Sequence, residues 1–310
     1  MKPILRLQSL SRSIYSPPRR GISTMTTTFT IPFDNPFNNT TSIPVILAET
    51  TSISKGQLLS FPAFKTWLSS LHKSLAEQSS STHEFHKSPY MLRKIDIQAV
   101  DYFGGGRLGF SKMKVDVSND IGESLPGSIL LRGGSVAMLL ILQADDVPST
   151  SEKDKYVIMT IQPRIPAGTL KFAEIPAGML DDSGTFAGGA AKEIHEETGL
   201  SIPQDELIDM TALASATESE GNLLQKAVYP SPGGSDEFIP VFLCQKRMSR
   251  KDIEGMQGRL TGNRNEKEKI TLKIVPLEEL WREGFRDAKT LAAWALYEGL
   301  RREGKDLSCR

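Results

Sequence analysis

GMLDDSGTFAGGAAKEIHEETGL, residues 178–200, closes on a segment in which Glu193, Glu196 and Glu197 stand at i, i+3 and i+4. On an α-helix those three side chains project from one side. Like charges at that spacing repel, and each raises the cost of ionising the next. A divalent cation removes the penalty, and carboxylate oxygens are hard ligands that suit Mg2+ or Mn2+ better than zinc. Taken alone, the glutamates also fit a solvated helix face supported by a Lys192–Glu196 pair.

The flanking residues frame a turn followed by a helix. Pro176-Ala177-Gly178 interrupts the preceding segment, and Asp181, Asp182 and Ser183 are N-cap candidates. Phe186, Ala190 and Ile194 form an apolar stripe at helical spacing, and Gly199 suits a C-terminal cap. One side of the helix would then lie on a core while its glutamates overlook a pocket. Gly188 and Gly189 permit close approach to a sheet at about 1 kcal/mol each relative to alanine.

With these residues in view, the stretch resembles the Nudix box: Gly, five residues, Glu, seven residues, then Arg-Glu-aliphatic-x-Glu-Glu-x-Gly-aliphatic. Gly178, Glu193, Ile194, Glu196, Glu197, Gly199 and Leu200 are in register. Gly184 replaces the first Glu of the box and Lys192 its Arg. In the family those two mainly support one another in orienting the helix, so joint loss is milder than loss of either, and the metal-facing carboxylates are retained. The resemblance implies an α/β fold, a Nudix α/β/α sandwich with a mixed sheet, preceded here by a strand-rich extension.

Composition agrees with a soluble enzyme. The chain has 310 residues, 39% hydrophobic and 24% charged, enough for one sizeable core plus an extension or small second domain. Its 37 basic and 37 acidic residues balance, so bulk charge argues for no nucleic-acid partner. No apolar run approaches the ~18 residues of a membrane span. Cys244 and Cys309 are far apart and read as reduced thiols.

Residues 1–33 contain no acid but carry Lys2, Arg6, Arg12, Arg19 and Arg20 among serines and threonines. That composition resembles an organelle transit peptide; a disordered basic tail is the alternative. Delivery to the chloroplast is the expectation, with mitochondrion or cytosol as alternatives, and Met25 could start a shorter cytosolic form.

Residues 34–127 read as an amino-terminal region. Phe64, Trp67, Leu68, Leu71 and Leu75 give helical spacing over 61–75, and a Ser-rich break follows at 79–82. Residues 91–100 and 110–117 alternate as strands. Between them, 104–109 satisfies GxGxxG, but FSKMKVDV follows as a strand where a dinucleotide site needs a helix, so a hairpin turn is expected.

Residues 128–300 read as the Nudix domain, with 301–310 as a tail. Residues 130–142 and 156–161 are apolar enough for buried strands, the first containing Gly133 and Gly134. Ile161-Gln162-Pro163-Arg164 and Glu174-Ile175-Pro176-Ala177-Gly178 are similar to the ADP-ribose and ADP-sugar pyrophosphatase branch. There, Arg164 and Glu174 would contact substrate and the carbonyl of Ala177 would bind metal. A guanidinium suits a diphosphate through its fork geometry, although Arg164 also reads as an ordinary strand-end arginine. Ser231-Pro232-Gly233-Gly234-Ser235-Asp236-Glu237 matches another signature of the branch. It is a side-chain-poor loop that would place Pro232, Gly233 and Glu237 against substrate; a plain hairpin turn is the alternative. It follows the box late, because 204–226 forms an insertion with an expected helix.

Residues 262–268, GNRNEKE, precede an alternating strand at 270–275 and fit either a catalytic loop or a charged tip. In the resembling enzymes an E-x-E at this point supplies a base and a metal ligand, roles carried to Glu266 and Glu268. Residues 287–300 read as a packing helix. The whole set is most similar to the ADP-sugar pyrophosphatases of plant organelles. That implies Mg2+, with Mn2+ as alternative, on Ala177, Glu193, Glu197 and Glu268, Glu196 in support and Glu266 as base. It further implies hydrolysis of ADP-glucose or ADP-ribose to AMP and a sugar phosphate, by a homodimer contacting through 90–117. A hydrolase of another nucleoside diphosphate sugar, or a catalytically weak nucleotide-binding module, are the competing functions.

Overall fold

A computed structural model describes residues 28–149, 151–180, 185–217, 223–262 and 269–308. The amino-terminal part runs β1 (Thr28–Pro32), β2 (Ser42–Leu47), α1 (Lys55–Ser60), α2 (Pro62–Glu77), β3 (Met91–Tyr102), β4 (Leu108–Ser118), β5 (Ser124–Leu125) and β6 (Ser128–Leu131). These strands form a sheet of order β1-β2-β3-β4-β5, with β6 also on β4. β2 and β3 are parallel and the two helices make their crossover; β3 and β4 pair antiparallel around the turn at Gly104–Gly106. Ser54 caps α1 through a reciprocal bond with Gln57, and Pro62 opens α2, where its missing N–H has no helical partner to lose. Phe64, Leu75, Ile95, Ile97 and Met113 pack between helices and sheet.

The remainder runs β7 (Ser135–Ala144), β8 (Lys155–Arg164), β9 (Thr169–Glu174), β10 (Ala177–Met179), α3 (Phe186–Thr198), β11 (Ile208–Asp209), α4 (Met210–Ala214), β12 (Val241–Met248), α5 (Arg250–Met256), β13 (Leu260–Thr261), β14 (Ile270–Pro276), α6 (Leu280–Glu283) and α7 (Ala288–Arg302). Its sheet has the order β11-β12-β7-β8-β14-β13, with β10 on β7 and β9 on β8. β12 runs parallel to β7 and the other pairs are antiparallel, so the sheet is mixed.

Every residue of β7 is buried, as a central strand covered on both faces requires. Ala137, Leu139 and Ile141 face Leu280, Ala293, Tyr297 and Leu300 of α6 and α7. Val136, Met138, Leu140 and Leu142 face Ala190 and Ile194 of α3 and Ile253 and Met256 of α5. The strand's alternation therefore builds two cores, one on each side, and the layers are α/β/α.

The single strand expected over 130–142 is two strands in two different sheets. The backbone of Gly133 has φ +81°, and the amides of Arg132 and Gly133 are turned to the Asp236 carboxylate, so neither continues a ladder. A side chain on Gly134 would meet Phe238 at 2.5 Å. The pair of glycines marks the passage between sheets. The 204–226 insertion contributes the short β11 and α4, with residues 218–222 outside the described set. Among the described residues no helix is long and apolar enough to cross a membrane.

Candidate active site

α3 begins at Thr185, whose hydroxyl accepts from the Gly188 amide at 3.0 Å, and ends at Gly199, whose φ of +75° fits the left-handed cap. Thr185 is thus the N-cap in place of the expected Asp181, Asp182 or Ser183, which lie outside the described residues. The apolar stripe at Ala190 and Ile194 enters the core and fixes the helix rotation. That rotation carries Glu193 and Glu197 towards β10 at the sheet's edge. Glu196 is half-buried, and its carbonyl accepts from the Gly262 amide at 3.3 Å.

Contact between α3 and β10 is close enough to demand glycine. A Cβ on Gly178 would lie 1.8 Å from the Glu193 carboxyl carbon. One turn on, Glu197 is 4% exposed; one of its oxygens accepts from the Ala177 amide at 3.0 Å and the other from Gln162 Nε2 at 3.5 Å. Burial first, and then the neighbouring Glu193 charge, push the Glu197 carboxyl up to about 8. The Ala177 N–H and Arg164 oppose that shift without cancelling it. A dry carboxylate beside a second one is a donor set that fits a hard divalent cation. Among the described residues no group of three or more His, Cys, Asp or Glu is arranged to hold a metal ion. Glu266 and Glu268 lie outside the described residues. The chain leading to them is anchored on this helix, through Gly262 on Glu196 and through the Thr261 hydroxyl on the Glu197 carbonyl at 2.5 Å.

Within electrostatic reach of Glu197 lies a charged array. Arg164 ends β8 and gives its Nε to Glu174 Oε1 at 2.6 Å. The second oxygen of Glu174 is taken by Lys289 of α7, which also pairs with Asp287 at 3.0 Å. The Glu174 side chain is 2% exposed and that of Arg164 39%, so Glu174 lies beneath the arginine and braces it, whereas Arg164 reaches solvent. A substrate would meet the guanidinium before the carboxylate.

The loop at 231–237 docks on the passage between sheets. Gly234 accepts from the Leu130 amide at 2.8 Å, and Asp236 receives the Arg132 amide at 2.7 Å and the Gly133 amide at 3.0 Å. Glu237 pairs with Arg132 at 2.8 Å and accepts from the Ser135 hydroxyl at 3.1 Å, so its carboxylate fastens the loop. Pro232 and Gly233 are left exposed at its tip. Phe238 lies edge-on to Phe186 of α3, ring centres 6.2 Å apart, which brings the end of the loop to the start of the glutamate helix.

Lys289, Asp287 and Arg132 were not legible as parts of the site, and Gln162 and Asp236 were legible only as members of the 161–164 and 231–237 motifs, without their roles. A lysine in an amphipathic helix reads as surface charge, and here it is 11% exposed only because α7 packs its first turn on β9.

A model of the NUDIX domain matches residues 142–294. The chain is 35% identical over 269 residues to Nudix hydrolase 14, chloroplastic, of Arabidopsis thaliana, an alignment covering 84% of this chain and 79% of that protein. A solved structure titled as an ADP compounds hydrolase aligns with a TM-score of 0.42 at 16% identity, covering 69% of this chain and 97% of its own.

Proposed function

From the premise that this chain belongs to the Nudix hydrolase family, we propose that it hydrolyses the diphosphate bond of ADP-sugars, ADP-glucose or ADP-ribose, giving AMP and a sugar phosphate with Mg2+ as cofactor. The observation that carries this reading is the dry Glu197, set beside Glu193 at β10, with the Arg164 guanidinium within its electrostatic reach.

Glu193, Glu197 and Glu268, with the Ala177 carbonyl, are the residues that would hold the cation, and Glu196 supports them. A divalent cation there would offset the charge of the diphosphate oxygens and make water easier to deprotonate. Glu266 takes the proton from the attacking water and aims it at one phosphorus; the bond to the bridging oxygen breaks and the leaving phosphate carries away its electron pair. Arg164 grips the diphosphate in fork geometry, held at the right angle by Glu174. Pro232 and Gly233 provide a flat, side-chain-poor wall for the nucleoside or sugar, and Glu237 keeps that wall in place. Hydrolysis needs little else from a protein than charge placement and an aimed water.

The acid-free segment 1–33 and a chloroplastic relative support delivery to the plastid. A homodimer is part of the same reading. β3 has strand neighbours on both sides, as does β4, so two copies would meet through a face of the first sheet rather than through edge pairing there. The deciding measurement is a panel of ADP-, UDP- and GDP-sugars with product identification. AMP plus sugar phosphate formed fastest from an ADP-sugar is the expected result. Faster cleavage of a UDP- or GDP-sugar would replace the substrate, and binding without any phosphate product would replace the reaction.

A further inference from the structure

Four ionic side chains form a line from α7 to the cleft: Asp287, Lys289, Glu174 and Arg164. Only the last reaches solvent substantially; Glu174, Asp287 and Lys289 have side chains 2%, 8% and 11% exposed. The line is anchored at its far end. Asp287 caps α7 through the Thr290 amide at 3.2 Å and takes the Thr290 hydroxyl at 2.5 Å, and that hydroxyl accepts from the Ile175 amide at 3.1 Å. The residue after Glu174 is thus tied to the same turn that carries Lys289.

The division of Glu174 is the informative detail. Its Oε1 receives Arg164 Nε alone, and its Oε2 is occupied by Lys289. Guanidinium and carboxylate left to themselves prefer two parallel bonds. Among the described residues the two terminal nitrogens of Arg164 make no hydrogen bond. We propose that Lys289 is a positioning residue of the diphosphate clamp: by occupying the second oxygen of Glu174 it holds Arg164 to a single bond there and leaves both terminal nitrogens for a ligand phosphate. Without Lys289, a buried carboxylate oxygen would lack its donor, and the least costly remedy is for Arg164 to swing inward and fork both oxygens. One nitrogen would then be withdrawn from the cleft.

The inference takes its ligand class from the function proposed above, and ADP, titrated with a chelator present so that metal-dependent cleavage of its diphosphate bond does not occur, is the probe. Calorimetric titration with ADP is run on the full chain, on Lys289→Met, on Arg164→Ala and on the double variant, with the melting temperature of each recorded. Lys289→Met should weaken ADP binding about 10-fold, the value of one charge-assisted bond. Lys289→Gln, which keeps a donor for Oε2, should lose less. In the Arg164→Ala background, Lys289→Met should add under about 2-fold, because its effect passes through the arginine. In turnover, KM should rise by the same factor with kcat within about 3-fold. Unchanged ADP affinity in Lys289→Met, or an equal loss with and without Arg164, overturns the inference; if Lys289→Met fails to fold, the Gln variant and its double decide by the same criteria. A chain that binds ADP in this manner yet cleaves no ADP-sugar refutes the proposed reaction and keeps the clamp, whereas no ADP binding by the unaltered chain refutes both.

Discussion

Glu197→Gln separates the cost of the dry carboxylate from its use. Glu197 faces Glu193, Glu174 and Arg164, and hydrogen-bonds to the Ala177 amide and the Gln162 side chain. Burial and the Glu193 charge hold its carboxyl at about 8 against an ordinary 4.5, so between those values the folded state binds more protons than the unfolded state. Stability contributed by the protonated form is therefore complete below pH 4.5 and is lost as pH rises towards 8. From 4.5 to about 8, at about 1.4 kcal/mol per pH unit, the loss has a ceiling of roughly 5 kcal/mol. Glutamine is neutral throughout and keeps an oxygen for the Ala177 amide. Urea unfolding with a chelator present, at pH 5 and pH 8.5, should show wild type losing several kcal/mol more than Glu197→Gln over that interval. Millimolar Mg2+ should restore wild type at pH 8.5 and leave the variant nearly unmoved. The variant's hydrolysis rate should fall at least ~10²-fold. Equal pH slopes for the two chains in chelator would refute the reasoning, because the carboxylate would then not be dry.

Gly178→Ala should keep its melting temperature within a few degrees yet lose about 10-fold or more in activity, since the three atoms nearest the added methyl all belong to the movable end of Glu193. Thermal melts and steady-state kinetics on one preparation check both halves. Asp236→Ala strands the amides of Arg132 and Gly133 and should cost about 2–4 kcal/mol in urea unfolding, with a raised KM as the 231–237 loop loosens. Glu266→Gln should reduce kcat ~10²-fold or more while Mg2+ still stabilises the protein against heat, which a metal ligand at that position would not allow.

Much of the fold is written in local pattern. Residues 178–200 carry their own periodicity, spacing and glycine cap, and α3 forms where that pattern places it. The helix at Pro62–Glu77 and the strands at Met91–Tyr102 and Leu108–Ser118 follow in the same way, because alternation and helical stripes are properties of neighbouring residues. The glycine pair at 133–134 is the instructive exception. The segment from 130 to 142 reads as one strand despite the Arg132-Gly133-Gly134-Ser135 interruption, and Asp236, distant in sequence, turns two of its amides out of the ladder.

The sequence by itself determined the family framework, the glutamate face and the motifs at 161–178 and 231–237, because each is a spacing within a short segment. Tertiary packing alone decided what those residues do to one another. Burial of Glu197 under β10 converts an ordinary carboxylate into a dry one, and the landing of α7 on β9 turns a helix-surface lysine into a brace for Arg164. Desolvation and ion pairing depend on atoms brought together from distant parts of the chain, and no short stretch of residues encodes them.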